Sequence, residues 1–281
     1  MAMVNKRVYS KYLIFIFLLL FAVTSSYSVY SQNDLYHSPY KLLEKDKVYH
    51  LFGDNVKFRK LPKLDSEVIS VLRIGDEVKI IGKSDEFISY NGIDYPFYKV
   101  KYEGQEGFIS GGLISVDHKK NNNINFVFSL RKENDQYKIL IRAFDSIDLQ
   151  YTEFMESLVT NDFQLKLSGN KGISGIDNIL YLDYIAEACG VQGGGIYYFI
   201  IGKELKKVFE ISQISDAGVF WYSEELLFPT DEGGKDDAII YRSESGSYKD
   251  EATNWTEIVT VNRELKYKDG EILPKINENH N

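Results

Sequence analysis

Among 281 residues there is a single cysteine, Cys189, so the chain cannot close an internal disulfide. A lone thiol beside Ile185, Ala186, Ala188 and Val191 is expected to be buried and inert. The only histidine that follows it is His280, in the terminal run Lys275–Asn281, and a thiol without a positioned base is a weak nucleophile at neutral pH. Long apolar runs are also missing. Tyr12–Val23 has twelve residues, whereas a bilayer span takes about 20. The 33 Lys and Arg are scattered among 41 Asp and Glu, for a net charge of −8, and form no basic groove for a phosphate backbone. Nucleic acids and other anionic polymers are therefore disfavoured as partners. The glycine run Gln192–Gly195 lacks the Lys-Ser/Thr and helix that a phosphate loop needs, and reads as a flexible turn before Ile196-Tyr197-Tyr198-Phe199. No pair of carboxylates stands out as catalytic, and no cofactor is expected.

What is present begins with an export signal. Lys6, Arg7 and Lys11 precede the apolar run, and small and polar residues follow it, the three-part layout of a secretory signal peptide. Cleavage is expected between Ser31 and Gln32, or alternatively after Ser26, and no cysteine lies nearby to carry a lipid anchor. Removing residues 1–31 shifts the net charge from −8 to −11, so the mature chain is acidic. The expected location is secreted or periplasmic, with no stable membrane span after cleavage. An aromatic content of 14% is enough for the remainder to bury a real core.

From Val48 to Ser115 the pattern is that of a small antiparallel barrel. Val68, Ile69, Val71, Leu72, Val78, Ile80 and Ile81 fall in short apolar runs broken by the turn at Arg73-Ile74-Gly75-Asp76. Tyr98, Val100 and Tyr102 alternate with Lys99, Lys101 and Glu103, Glu103-Gly104 is a tight turn, and Gly107–Ser110 is the next strand. Closure into a barrel removes the exposed edges of so short a sheet. The spacing of Arg59, Pro62, Val68-Ile69, Gly75-Asp76, Tyr98-Lys99-Val100 and Gly104-Gln105-Glu106-Gly107-Phe108-Ile109-Ser110 resembles the bacterial SH3 (SH3b) domain. Leu61 stands where that family has Gly before Pro, and Phe97-Tyr98 where it has Trp. The resemblance implies an SH3-like barrel that grips extended peptides between two loops. Tyr90, Tyr95 and Phe97, in or beside the long segment Asp85–Tyr95, are the candidate ligand contacts, with Tyr98, Val100 and Phe108 filling the core.

After the polar run 117–123 the chain again reads as strands: Ile124–Arg131, Gln136–Phe144, Asp162–Leu167, Asn178–Tyr184, Ile196–Ile201, Leu205–Ile211, Gly218–Phe228, Ala238–Ser243 and Trp255–Lys266. One short helix is expected over Tyr151–Val159, where Phe154 and Leu158 are four apart. The acidic turn Asp231–Asp237 offers Asp231, Asp236 and Asp237 as weak candidate calcium ligands, a solvated hairpin loop being the competing reading.

The expected organisation is a signal peptide (1–31), a linker (32–47), an SH3b domain (48–116), a linker (117–123), a β-rich C-terminal domain (124–274) and a disordered tail (275–281). The fold class is all-β: a small SH3-like barrel followed by a larger antiparallel meander, either a sandwich or an open barrel. The expected function is an exported, non-catalytic envelope protein that binds peptidoglycan peptide or an envelope protein partner. The alternative is a cell-wall hydrolase with its active site in the C-terminal domain. SH3b domains are often joined to cysteine peptidases with an Asp-Cys-x-Gly motif, but here the residues are Ala188-Cys189-Gly190.

Overall fold

The computed structural model describes residues 37–39, 41–186, 189–216, 219–250 and 255–275. The expected signal peptide, the start of the first linker and all of the tail beyond Lys275 lie outside them.

The first six strands are β1 (Val48–His50), β2 (Val56–Arg59), β3 (Val68–Leu72), β4 (Glu77–Tyr90), β5 (Ile93–Tyr102) and β6 (Gln105–Ser110). They form an antiparallel sheet in the order β1-β4-β5-β6-β2-β3. Its inner face buries Val56, Phe58, Leu72, Val78, Ile80, Tyr98, Val100 and Ile109 in one cluster. A 3-10 turn, Gly111–Leu113, and a bridge between Ile114 and Leu51 close it. The segment 85–95, expected to be a long loop, is instead the end of the β4–β5 hairpin. It pairs through Tyr90 and Ile93 around Asn91-Gly92, both at positive φ (53° and 75°), the geometry that a two-residue hairpin turn demands. Part of the expected first linker is also built in, since the Leu43 N–H donates to the Tyr98 hydroxyl at 3.0 Å.

The next four strands, β7 (His118–Asn121), β8 (Ile124–Glu133), β9 (Gln136–Asp145) and β10 (Tyr151–Ser157), make a second antiparallel sheet in the order β10-β9-β8-β7. Two expectations are corrected here. The run 117–123 is not a linker, because β7 pairs with β8 from His118–Val127 to Asn121–Ile124. The stretch 151–159 is not a helix, because Tyr151 to Ser157 pair residue by residue with β9. Thr152, Phe154 and Glu156 alternate as well as Phe154 and Leu158 repeat, and the open edge of β9 decides between the two periods.

The last eight strands, β11 (Phe163–Gly169), β12 (Asn178–Tyr184), β13 (Gly193–Ile201), β14 (Glu204–Asp216), β15 (Phe220–Leu227), β16 (Ile239–Asp250), β17 (Trp255–Lys268) and β18 (Glu271–Leu273), follow one another in a single meander. The glycine run is no flexible turn. Gly193 to Gly195 open β13 and pair with β14, Gly194 and Gly195 also with β12, and Gly195, at φ 153°, leaves room for the Tyr181 ring, which would lie 2.8 Å from a Cβ there. The sheet curls until the Phe199 ring of β13 meets Tyr267 of β17 edge-on, centroids 4.9 Å apart. A half-barrel results, with Ile179, Phe209, Ile211, Leu226, Phe228, Ile239 and Leu265 inside.

Alternation along the strands stacks these units. Phe126, Phe128 and Leu130 of β8 face Leu180, Leu182, Ile196, Tyr198 and Ile200 across a sandwich core. Val127, Leu140 and Phe144 point the other way and pack on Phe52 and Ile74 of the first barrel. The second sheet is thus covered on both faces, which is why β8 carries six consecutive buried residues. The sandwich and the open barrel expected as alternatives are both present, sharing β12 and β13.

Candidate binding strip

Directly opposed residues of antiparallel strands share a face, and so do residues two apart along a strand. Arg59 pairs with Val68 and Phe108, Phe108 with Lys99, and Ser110 with Phe97. These residues therefore lie on the outside of the barrel, opposite the face that holds Phe58, Tyr98 and Ile109. Tyr95 continues the row beyond Phe97 and packs on Gly112 together with Tyr90. A Cβ at Gly112 would come within 2.7 Å of Tyr90 Cδ1 and 2.8 Å of Tyr95 Cδ2. The structure thus brings all three sequence-expected contacts, Tyr90, Tyr95 and Phe97, onto one strip running from Arg59 towards the second sheet.

Their accessibilities differ from the expectation. Phe97 is only 4% exposed, lying opposite the bulged residues Ser84–Glu86 between the Lys83–Tyr98 and Phe87–Pro96 pairs, so it is floor and not rim. Tyr90 and Tyr95 are half-buried rather than loop-exposed, because the hairpin tip docks on the second sheet through the Lys132 N–H to Asn91 carbonyl bond of 2.8 Å. Burial, with the neighbouring Tyr137 adding to it, pushes the Tyr95 hydroxyl far above its ordinary value of 10.0; a hydrogen bond to Ser129 opposes the shift. Phe108, expected in the core, is half-buried on the strip.

Two strip residues carry polar chemistry that sequence reasoning did not single out as a site. Arg59 is 8% exposed, and its Nη1 donates to the Ser66 carbonyl at 2.8 Å, holding the loop 60–67 against the barrel. Leu61 and Leu64 project from that loop, 56% and 64% exposed. Ser110 is 7% exposed, and its hydroxyl is the one buried side-chain polar atom without a hydrogen-bond partner among the described residues. A buried hydroxyl left without a partner costs about 1–3 kcal/mol, so such a group calls for an explanation. The one sequence signal for this corner was the Gly111-Gly112 pair after β6, whose missing side chains admit Tyr98 at the first and Tyr90 and Tyr95 at the second.

The acidic turn does not gather its carboxylates. Asp231 accepts the Phe228 N–H at 2.9 Å and pairs with Lys171 at 2.9 Å, while Asp236 and Asp237 are exposed. Among the described residues no three His, Cys, Asp or Glu side chains are placed to share a metal ion. Cys189, expected to be buried, is exposed in the turn before Gly190. No helix among the described residues is long and apolar enough to cross a membrane.

No curated protein and no solved structure matches the chain. The model of the family described as bacterial SH3 domain matches residues 54–115, the span that holds β2 to β6, the 3-10 turn and the strip, and this segment is a bacterial SH3 domain.

Proposed function

We propose that the protein is an exported, non-catalytic component of the bacterial envelope whose SH3 domain holds a peptide, either a peptidoglycan stem peptide or a segment of an envelope protein, along the strip from Arg59 to Tyr90. The family points to a cell-wall or peptidoglycan-binding module. The observation that carries the reading is the Ser110 hydroxyl, buried and unpartnered between aromatic residues. An extended peptide laid over the half-buried Phe108, with a shift of the side chains that cover Ser110, would give that hydroxyl a backbone partner while its apolar side chains meet Leu61 and Leu64. Aromatic surface for area and a few placed polar groups for register is how peptide grooves work. The acidic mature chain favours peptides over anionic wall polymers.

The test is co-sedimentation of residues 32–281 with purified sacculi, alongside pull-down from an envelope extract. Leu61→Asp and Ser110→Ala should each weaken retention while leaving the circular dichroism spectrum unchanged. Retention that ignores both substitutions would remove the strip as the site. A peptidoglycan zymogram with the same protein should show no clearing, and clearing would favour the hydrolase reading.

A further inference from the structure

Beyond peptide binding by the SH3 domain, the outer face of the meander carries a second surface of a different kind. The pairing of β14 to β17 sets Ser215, Trp221, Gly246 and Ile258 side by side in one row across the sheet. Two residues further along the strands, Gln213, Ser223, Glu244 and Thr260 make the next row on the same face. Leu226 of β15 points into the half-barrel core, so Trp221, an odd number of residues away, points out of it. The indole lies flat on the sheet. A Cβ built on Gly246 would be 2.0, 2.2 and 2.3 Å from Trp221 Cζ2, Cη2 and Cε2. A point that close to three consecutive ring atoms, and nearly equidistant from them, is above the ring and not at its rim. One face of the indole therefore rests on the glycine backbone and the other is turned away from the sheet. Trp221 Nε1–H donates to Glu244 Oε1 at 3.1 Å, which holds the ring in that plane. Gly246 is buried beneath the ring, whereas Gln213, Ser215, Ile258 and Thr260 around it are exposed.

A fixed aromatic face bordered by hydroxyl, amide and carboxylate groups is complementary to a pyranose ring. A sugar with equatorial hydroxyls, such as glucose or N-acetylglucosamine, offers a flat face of positively polarised C–H groups to the negative face of an aromatic ring, and a perimeter of hydroxyls that both donate and accept. Gln213, Ser223 and Thr260 can do both, and Glu244 accepts. A lipid surface would instead strip water from Gln213 and Glu244, and the carboxylates of Glu225 and Glu244 repel anionic sugars. In the row beyond, Arg242 donates to Asn262 at 3.1 Å and pairs with Glu225 at 3.4 Å, so that row is satisfied within itself and bounds the platform. Four strands span about 14 Å, room for a short stretch of chain and not only one sugar. We propose that this platform binds a neutral glycan of equatorially linked, glucose-type sugars, one pyranose stacked on Trp221 and its hydroxyls held by Gln213, Ser223, Glu244 and Thr260.

The test is isothermal titration of residues 32–281 with cellotetraose and with its N-acetylglucosamine counterpart, chitotetraose. The expected result is saturable binding, and the better of the two ligands tells a plain glucan from an N-acetylated wall glycan. Trp221→Ala should lower the affinity at least about tenfold, as the loss of a central aromatic contact does, and Trp221→Tyr, which keeps a flat ring, should restore part of it. Thr260→Ala, at an exposed position, should weaken binding about fivefold with an unchanged circular dichroism spectrum, and so reads the site even if Trp221→Ala disturbs the sheet. Leu61→Asp, on the SH3 strip, should leave the titration unchanged. No saturable binding of either sugar, an affinity that Trp221→Ala leaves unchanged, or binding that is lost in Leu61→Asp would each overturn the proposal. None of these results depends on whether the strip holds a peptide.

Discussion

His50 of β1 and His118 of β7 stack face to face, ring centroids 3.6 Å apart and 23° from parallel, joining the SH3 barrel to the second sheet. His50 is held below its ordinary value of 6.5, first by burial and then by the neighbouring His118, although Glu77 at 3.4 Å pulls the other way. A histidine with a depressed value in the folded state binds its proton more readily when unfolded. Stability is therefore full above about pH 6.5 and falls as the pH drops through that value towards the lower folded one. The midpoint of thermal unfolding should decrease between about pH 7 and pH 5, and His50→Asn should flatten that part of the profile. An unchanged profile in the variant would locate the pH dependence elsewhere.

The same seam should make the two parts unfold together. Phe144 of β9 is 3% exposed and lies over Gly75, where an added Cβ would come within 2.5 Å of its ring at a backbone φ of 83°. Arg142 donates to the Phe52 carbonyl at 2.8 Å, stacks 4.2 Å from that ring and pairs with Glu153 at 2.8 Å. Phe144→Ala should cost about 3–5 kcal/mol, and Gly75→Ala should destabilise through both strain and overlap. Urea unfolding of the full chain should show one transition for both parts. The SH3 segment alone, residues 37–117, would expose Phe52, Ile74 and Ile93 and should be clearly less stable than within the chain.

How much of this the sequence carried depends on how local each feature is. Every strand expected after residue 124 is present, and Asn178–Tyr184 matches to the residue, because alternation and β-branched content act within a few residues. Asn91-Gly92 is a turn signal of the same local kind, and the hairpin it closes half-buries Tyr90 and Tyr95. The polar look of 117–123 concealed β7, since Asp117 and His118 are partnered by His37, Lys119 and Asn125, contacts that the local pattern does not encode. The exposure of Cys189 and the curl that brings Phe199 to Tyr267 depend on contacts far apart in the chain, which no local pattern encodes.

Gly246 shows what the curl leaves uncovered. It lies opposite Trp221 of β15, whose indole covers it and donates to Glu244 at 3.1 Å. A Cβ at Gly246 would overlap the six-membered part of that ring. Gly246→Ala should therefore push Trp221 outward. With only two tryptophans in the chain, a red shift in emission and a loss of near-ultraviolet ellipticity would report the displacement. An unmoved spectrum would mean that Trp221 keeps its place and the backbone around residue 246 takes up the overlap.

Since Cys189 is exposed, the native chain should titrate one thiol with a disulfide reagent without denaturant, and Cys189→Ser should keep the unfolding midpoint. A thiol that reacts only after unfolding would restore the buried placement expected from its apolar neighbours.

Ser110 separates the demands of folding from those of binding. Its buried hydroxyl has no partner among the described residues, so removing it relieves a desolvation cost while deleting only one atom beside Phe97. Ser110→Ala should leave the stability of the free protein unchanged or raise it by up to about 1–2 kcal/mol, whereas a hydroxyl engaged in the fold would cost about 1 kcal/mol on removal. Thermal unfolding checks this without any ligand. A destabilised variant would mean that the hydroxyl serves the fold, and the strip would lose the polar group that marks it as a site. A stabilised variant that also binds sacculi or envelope extract less well would identify Ser110 as a group that the fold leaves unpaired for a ligand.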